Sequence, residues 1–297
     1  MPKSRGRQPE RSRKGRAASG DPQRRAAEAL VRELAPHATA ALNRVLGGDL
    51  SDSLTLIAMP ALFLETIVAA NRDVLPAERC VDDCLVLTHA YAQFGMEAEV
   101  RVTELTVTDS VTASRAVHGS LEPRWEGDGM FHGHTVVWLP EHCCLVDPTA
   151  EQYEEIAAYR DGPVIATAGP SAAEGIVRVS AARGFLRLVY VLGTREASAA
   201  LLDYPYVREQ GGENMRRGVN VASQVLARLA SCRPARETDT IPYPRMAALT
   251  QAVRSLKART DEDGFLYFSQ RGPGAQTRMR LDEITLPAGA PQRTSRF

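Results

Sequence analysis

CVDDCLVLTHAYAQFGMEAEV, Cys80–Val100, is the stretch on which the reading of the fold turns. CVDDCLVLTHAYAQFG predicts a helix, opened at Asp73 or Pro76 and stopped by Gly95, whose tolerance of positive φ suits a helix end. EAEVRVTELTV follows directly. Val100 and Val102 alternate there, then Leu105 and Val107 alternate in the shifted frame, which predicts a strand with a bulge near Thr103–Glu104. Cys80 thus falls near the start of a helix. The free N–H groups and dipole of a helix N-terminus favour a thiolate, and the same N–H groups can stabilise an oxyanion beside the sulfur.

A second stretch, FHGHTVVWLPEHCCLVDPT (Phe131–Thr149), supplies partners for such a thiol. It predicts two strands, His134–Leu139 and Cys143–Asp147, around a turn centred on Pro140–Glu141. Side chains alternate between faces along a strand, so His134, Val136 and Trp138 share one face. The same holds for Cys143, Leu145 and Asp147. With that turn centre His134 lies directly opposite Asp147, where Cβ atoms approach to ~4.5–5.5 Å. A carboxylate there can hold one imidazole nitrogen and fix the tautomer. His132 lies one step back on the same face, opposite Thr149, and is the alternative histidine. A His–Asp pair of this kind activates a nucleophile, usually Ser or Cys, and Cys80 is the candidate.

These blocks together resemble the transglutaminase-like cysteine enzymes, a superfamily with a papain-like fold. Its members carry Cys, a small residue four on, Gly fifteen on and Ala eighteen on at the next strand; here these are Cys80, Cys84, Gly95 and Ala98. A His beginning a strand and a strand ending in Asp-Pro-Thr follow in the family, matched by His134 and Asp147-Pro148-Thr149. The resemblance covers about residues 74–155. Arg79 stands where Gly often precedes the Cys, and Thr135-Val136 where Ala-Trp often follows the His. The Arg-Gly-Gly that precedes the Cys of arylamine N-acetyltransferases is missing. The resemblance implies an α+β fold with a catalytic helix on an antiparallel sheet, here with extra N-terminal helices. It implies a Cys80–His134–Asp147 triad that forms an acyl-enzyme from an amide or thioester. Asn71 is a stand-in for the family's upstream oxyanion donor, and His132 a supporting residue. The expected activity is that of a thiol amidohydrolase, protease or acyltransferase, on a peptide, protein or small amide. The alternatives are a catalytically inactive binding module on the same fold and a zinc-stabilised structural protein.

The zinc reading would draw on Cys80, Cys84, His132, His134, His142 and Cys143, but Cys-x3-Cys departs from the usual Cys-x2-Cys spacing. There is no phosphate-binding loop and no dinucleotide fingerprint, so neither cofactor nor metal is expected. Cys84, one turn beyond Cys80, reads as a small apolar filler. Mid-helix His89 and His118 in a polar loop read as structural or solvated.

The remainder of the chain bounds the class. Its 297 residues are 44% hydrophobic, enough for a sizeable core. Net charge is zero, yet residues 1–25 hold nine basic and two acidic side chains. Residues 1–22 lack periodicity and read as a disordered basic tail. Such a tail leaves nucleic acid open as a partner by charge alone, but it has no interleaved aromatics, so nucleic acid is not the expected partner. No secretory signal is visible. LTLIAMPALFLETIVAA is interrupted by Pro60 and Glu65 and is too short for a comfortable membrane span. Five cysteines, two of them adjacent, suggest no disulfide framework and point to a reducing cytoplasm. Residues 23–160 form the expected core with its N-terminal helices. Residues 161–297 complete that domain or form a small second one. In them PVIATA, FLRLVYVL and FLYFSQ read as strands and residues 213–231 and 244–258 as helices, while residues 109–129 and the tail from Arg271 read as irregular.

Overall fold

Helix α1 spans Cys80–Gln93 and begins at Cys80 itself, behind Arg79, not at Asp73 or Pro76. This is a computed structural model, and it describes residues 79–126, 130–159, 163–168, 176–232, 243–260, 265–269 and 276–286. The basic tail, the expected N-terminal helices and Asn71 lie outside the described residues. Asp82 and Asp83 occupy the first turn of α1, where carboxylates suit the positive end of the helix dipole. The last turn closes on Gly95 at φ 78, and the Met96 N–H returns 3.2 Å to the Tyr91 carbonyl. Of its fourteen residues only Ala92 is not fully buried, so α1 is covered on every side.

One side of that cover is a seven-stranded sheet. Its strands are β1 (Glu99–Asp109), β2 (Arg115–Gly119), β5 (Thr135–Leu139), β6 (Cys144–Asp147), β7 (Val164–Thr167), β8 (Arg178–Arg183) and β9 (Leu186–Leu192). The order is β7-β6-β5-β1-β9-β8, with β2 also paired to β1, and every pairing is antiparallel. The end strands β7 and β8 come close together, so the sheet is nearly closed. A two-stranded ribbon, β3 (Arg124–Trp125) and β4 (Phe131–His132), leads into β5. The architecture is α+β.

The sheet separates two apolar clusters. The inner one holds Leu105, Val107, Val136, Trp138, Leu145, Leu188 and Tyr190. The outer one sets Val100, Val102, Val137, Leu139 and Val146 against Val86, Leu87 and Tyr91 of α1. This division explains the frame change in β1 without a bulge. Pairing with β9 runs unbroken from Thr103↔Leu192 to Asp109↔Leu186. Even-numbered Val100 and Val102 face α1, whereas odd-numbered Leu105 and Val107 face the inner cluster. Residues 109–129 are likewise not all loop, because β2 and β3 form there. The region after Arg271 contributes β12 (Gln276–Met279), which pairs with β11 (Leu266–Ser269) beside β10 (Arg259–Thr260).

Three further helices complete the packing. Helix α3 (Arg195–Leu202; a one-turn α2 spans Glu154–Ala157) is capped by Thr194, whose hydroxyl accepts from the Ala197 N–H at 3.1 Å. Helix α4 (Pro205–Cys232) lies along α1, and α5 (Pro244–Ser255) packs on α4. Among the described residues no helix is long and apolar enough to cross a membrane.

Gly218 sets how closely α4 approaches α1. A Cβ there would sit 2.7 Å from the Val86 carbonyl oxygen and 2.5 Å from His89 Cβ. Backbone cannot yield as a flexible side chain can, so Gly218→Ala should destabilise the protein by about 2 kcal/mol. Gly212, in the same helix, has open space around its Cβ position. Gly212→Ala should therefore stabilise by about 0.5–1 kcal/mol through helix propensity. Urea unfolding of both variants checks the opposite signs; equal signs would refute the close crossing.

Candidate active site

Cys80 occupies the first position of α1. The first N–H groups of any helix lack intrahelical acceptors, and Arg79 provides no side-chain cap. The first intrahelical bond runs from the Asp83 N–H to the Arg79 carbonyl, 2.9 Å. The neighbouring carboxylates are already engaged. Asp82 accepts from Asn214 Nδ2 at 2.8 Å and lies 3.4 Å from the Arg79 guanidinium, and Asp83 lies 3.8 Å from Arg217.

His134 and Asp147 are brought together, by a different route from that expected. The observed register is Val137↔Val146, Trp138↔Leu145 and Leu139↔Cys144, two residues away from a turn centred on Pro140–Glu141. The connection is a 3-10 turn, Pro140–His142, closed by Cys143 in the left-handed region at φ 46. A shift of two keeps every side chain on its face. Asp147 therefore meets His134 diagonally, and His134 Nε2 lies 2.8 Å from Asp147 Oδ2. Both side chains are completely buried.

The carboxylate is held from three more directions. The Tyr190 hydroxyl donates to Oδ2 at 3.1 Å, and the Thr149 N–H and hydroxyl donate to Oδ1 at 3.1 and 3.5 Å. Gly119, at φ 73, lies against the backbone and Cβ of His134. A Cβ there would come within 2.7 Å of His134 Cβ and 2.4 Å of the Thr103 carbonyl oxygen, so only glycine fits. Tyr153 meets the imidazole edge-on, with ring centroids 5.3 Å apart.

Burial by itself disfavours the imidazolium. The charge and hydrogen bond of Asp147, followed by those of Cys80, outweigh it and push His134 up to about 10. Cys84, one turn after Cys80, donates to the carbonyl of Thr135, so the start of α1 runs beside His134. Asp147 takes Nε2, and the Gln152 amide Nε2 lies 2.9 Å from Nδ1.

The other candidates are elsewhere. His132 is on β4, opposite Arg124 and not Thr149, with its side chain half-exposed and 3.2 Å from Glu126, so it does not support the pair. His118 is on β2, where it stacks on Tyr153 at 3.9 Å and hydrogen-bonds Glu155. Cys84 is fully buried, its thiol donating to the Thr135 carbonyl at 3.4 Å, and burial pushes its pKa well up. Burial also pushes Cys144 up to about 11, whereas Cys143 is exposed in the turn. His142 packs against the Tyr243 ring. Among the described residues no three His, Cys, Asp or Glu side chains converge as a metal site.

Sequence reasoning missed Gln152, Tyr190 and Tyr153. Tyr190 arrives from a distant strand, Gln152 ends the short 3-10 turn (Ala150–Gln152) after the Asp-Pro-Thr run, and Tyr153 caps that turn. None of the three positions carries a local signal. No family model matches the chain, and no curated protein or solved structure matches it.

Proposed function

We propose that the protein is a cysteine-dependent hydrolase or acyltransferase acting on amides or thioesters, on a transglutaminase-like, papain-like core. The observation that carries this reading is the buried His134–Asp147 pair, 2.8 Å apart, beside the start of α1 where Cys80 stands. The chain order Cys, His, Asp supports it as well. In this reading the Cys80 thiolate attacks the carbonyl carbon and the C–S bond forms. His134 gives its Nδ1 proton to the leaving amine or thiolate as the C–N or C–S bond of the substrate breaks. Water or an acceptor amine then attacks the acyl-enzyme, loses its proton to His134 and releases Cys80. N–H groups of the first turn of α1 stabilise the oxyanion. The free cysteines support a reducing compartment such as the cytoplasm. Peptides, proteins or small amides are the substrates the reading implies.

A second reading, a silent binding module on the same frame, draws on the complete burial of His134 and Asp147 and the 7% exposure of Cys80. Iodoacetamide labelling at pH 7, followed cysteine by cysteine by mass spectrometry, separates the two. The enzyme reading expects Cys80 to outpace exposed Cys143, a thiol with no helix terminus beside it, and to leave Cys84 far behind. Labelling of Cys80 no faster than Cys84 would sink it.

A further inference from the structure

His134 Nε2 is committed to Asp147 at 2.8 Å, and Nδ1 meets the Gln152 amide at 2.9 Å. Cys84, one turn after Cys80, donates to the carbonyl of Thr135, next to His134, so the start of α1 runs beside the ring, and a thiol that uses the imidazole has to use Nδ1. A neutral ring with its proton on Nε2 presents a lone pair at Nδ1, and the amide NH₂ of Gln152 can donate to it. The imidazolium presents an N–H at Nδ1, which needs an acceptor, either the Cys80 thiolate or the amide oxygen of Gln152 after rotation. Gln152 is only partly buried, so its amide has room to turn.

We propose that Gln152 is a positioning residue that competes with Cys80 for Nδ1 of His134 and so regulates how much of the reactive thiolate–imidazolium pair is present at rest. With the NH₂ forward it favours the neutral ring, against the imidazolium that Asp147 favours, and with it the protonated thiol. A substrate that draws the amide away frees Nδ1 for Cys80. The proposal rests on the Cys80–His134 reading above and adds a control to it.

The other charged or titratable groups around the ring are accounted for. Asp147 comes from β6, and the Tyr190 hydroxyl from β9 donates to the same Oδ2 that meets His134. Tyr153 stands edge-on, backed by His118 of β2 and Glu155 of α2. Cys84 is one turn behind Cys80 and fully buried. Among the described residues Gln152 is the hydrogen-bond partner of Nδ1.

The test is the pH profile of Cys80 alkylation by iodoacetamide in wild type, Gln152→Leu, Gln152→Glu and His134→Ala. Gln152→Leu removes the competitor, so alkylation at pH 7 should rise about two- to tenfold, the factor one net hydrogen bond commands. The half-maximal pH should fall. Gln152→Glu puts a negative charge beside the developing thiolate and should raise the half-maximal pH by about one unit or more. A merely structural role would move both variants the same way or neither, and either result overturns the proposal. Thermal unfolding identifies a variant that has lost its fold; Gln152→Ala then replaces Gln152→Leu, with the same expected direction. If His134→Ala alkylates like wild type, the Cys80–His134 reading fails and this inference falls with it. If His134→Ala is slow while both Gln152 variants match wild type, only the role of Gln152 is refuted.

Discussion

His134→Ala should slow iodoacetamide alkylation of Cys80 at pH 7 roughly tenfold and move the profile to higher pH. A thiol without a basic partner ionises near pH 8.5, so only about 3% is thiolate at pH 7, whereas His-paired thiols at helix starts are largely thiolate there. In such pairs the gain in thiolate reaches about thirtyfold. Part of it is offset because a more basic thiolate is intrinsically more nucleophilic. The imidazole sits in a completely buried site and touches Asp147, Gln152 and Tyr153, so its removal leaves space and no replacement base. Cys143, exposed in the β5–β6 turn, is the internal standard and should keep its wild-type rate. An unchanged Cys80 rate in His134→Ala would show that the ring supports the fold alone.

Asp147→Ala should be among the most destabilising single changes in the described part of the chain, by ~3–5 kcal/mol in urea unfolding at pH 6.5. The carboxylate accepts from His134, Tyr190 and Thr149, and none of the first two has solvent within reach when it goes. Asp147→Asn keeps an acceptor oxygen and should lose markedly less. The pH dependence has a definite sign. His134 is raised from 6.5 in the unfolded chain to about 10 in the fold, so its contribution is fully present below about pH 6.5 and lost as pH rises towards 10. The stability gap between wild type and Asp147→Ala should therefore narrow from pH 6.5 to pH 10. A gap under 1 kcal/mol at pH 6.5, or one that widens with pH, would contradict the buried ion pair.

The helix end and the faces of the hairpin were legible because short-range rules govern them. Gly95 stops α1, and period-two alternation puts His134 and Asp147 on one side of the sheet whichever even shift the register takes. The register itself was not legible. It depends on Cys143 accepting a left-handed conformation at φ 46, which residue type does not announce. Strand β2 was missed because its alternation faces the wrong way for the pattern: Val117 is 51% exposed, while His118 turns inward to Tyr153. The apparent bulge in β1 was a real change of buried face misread as a change of backbone. Gln152 and Tyr190 reach the site through tertiary structure, and no spacing rule connects them to His134.

The pairing of β1 with β9 bears on how the chain is made. One side of β1 finds β2 and β5 within the next few dozen residues, but the other side waits for Leu186–Leu192. At ~5–20 residues per second, translation from Asp109 to Leu186 takes roughly 4–15 s. For that interval the growing polypeptide carries a strand edge with Leu105 and Val107 uncovered, a template for pairing with other nascent chains. The same strand brings Tyr190, so the Asp147 carboxylate acquires its hydroxyl donor only when the edge closes. Ribosome-bound chains truncated before residue 186 should thus depend on chaperones, and chains released after residue 192 should do so far less.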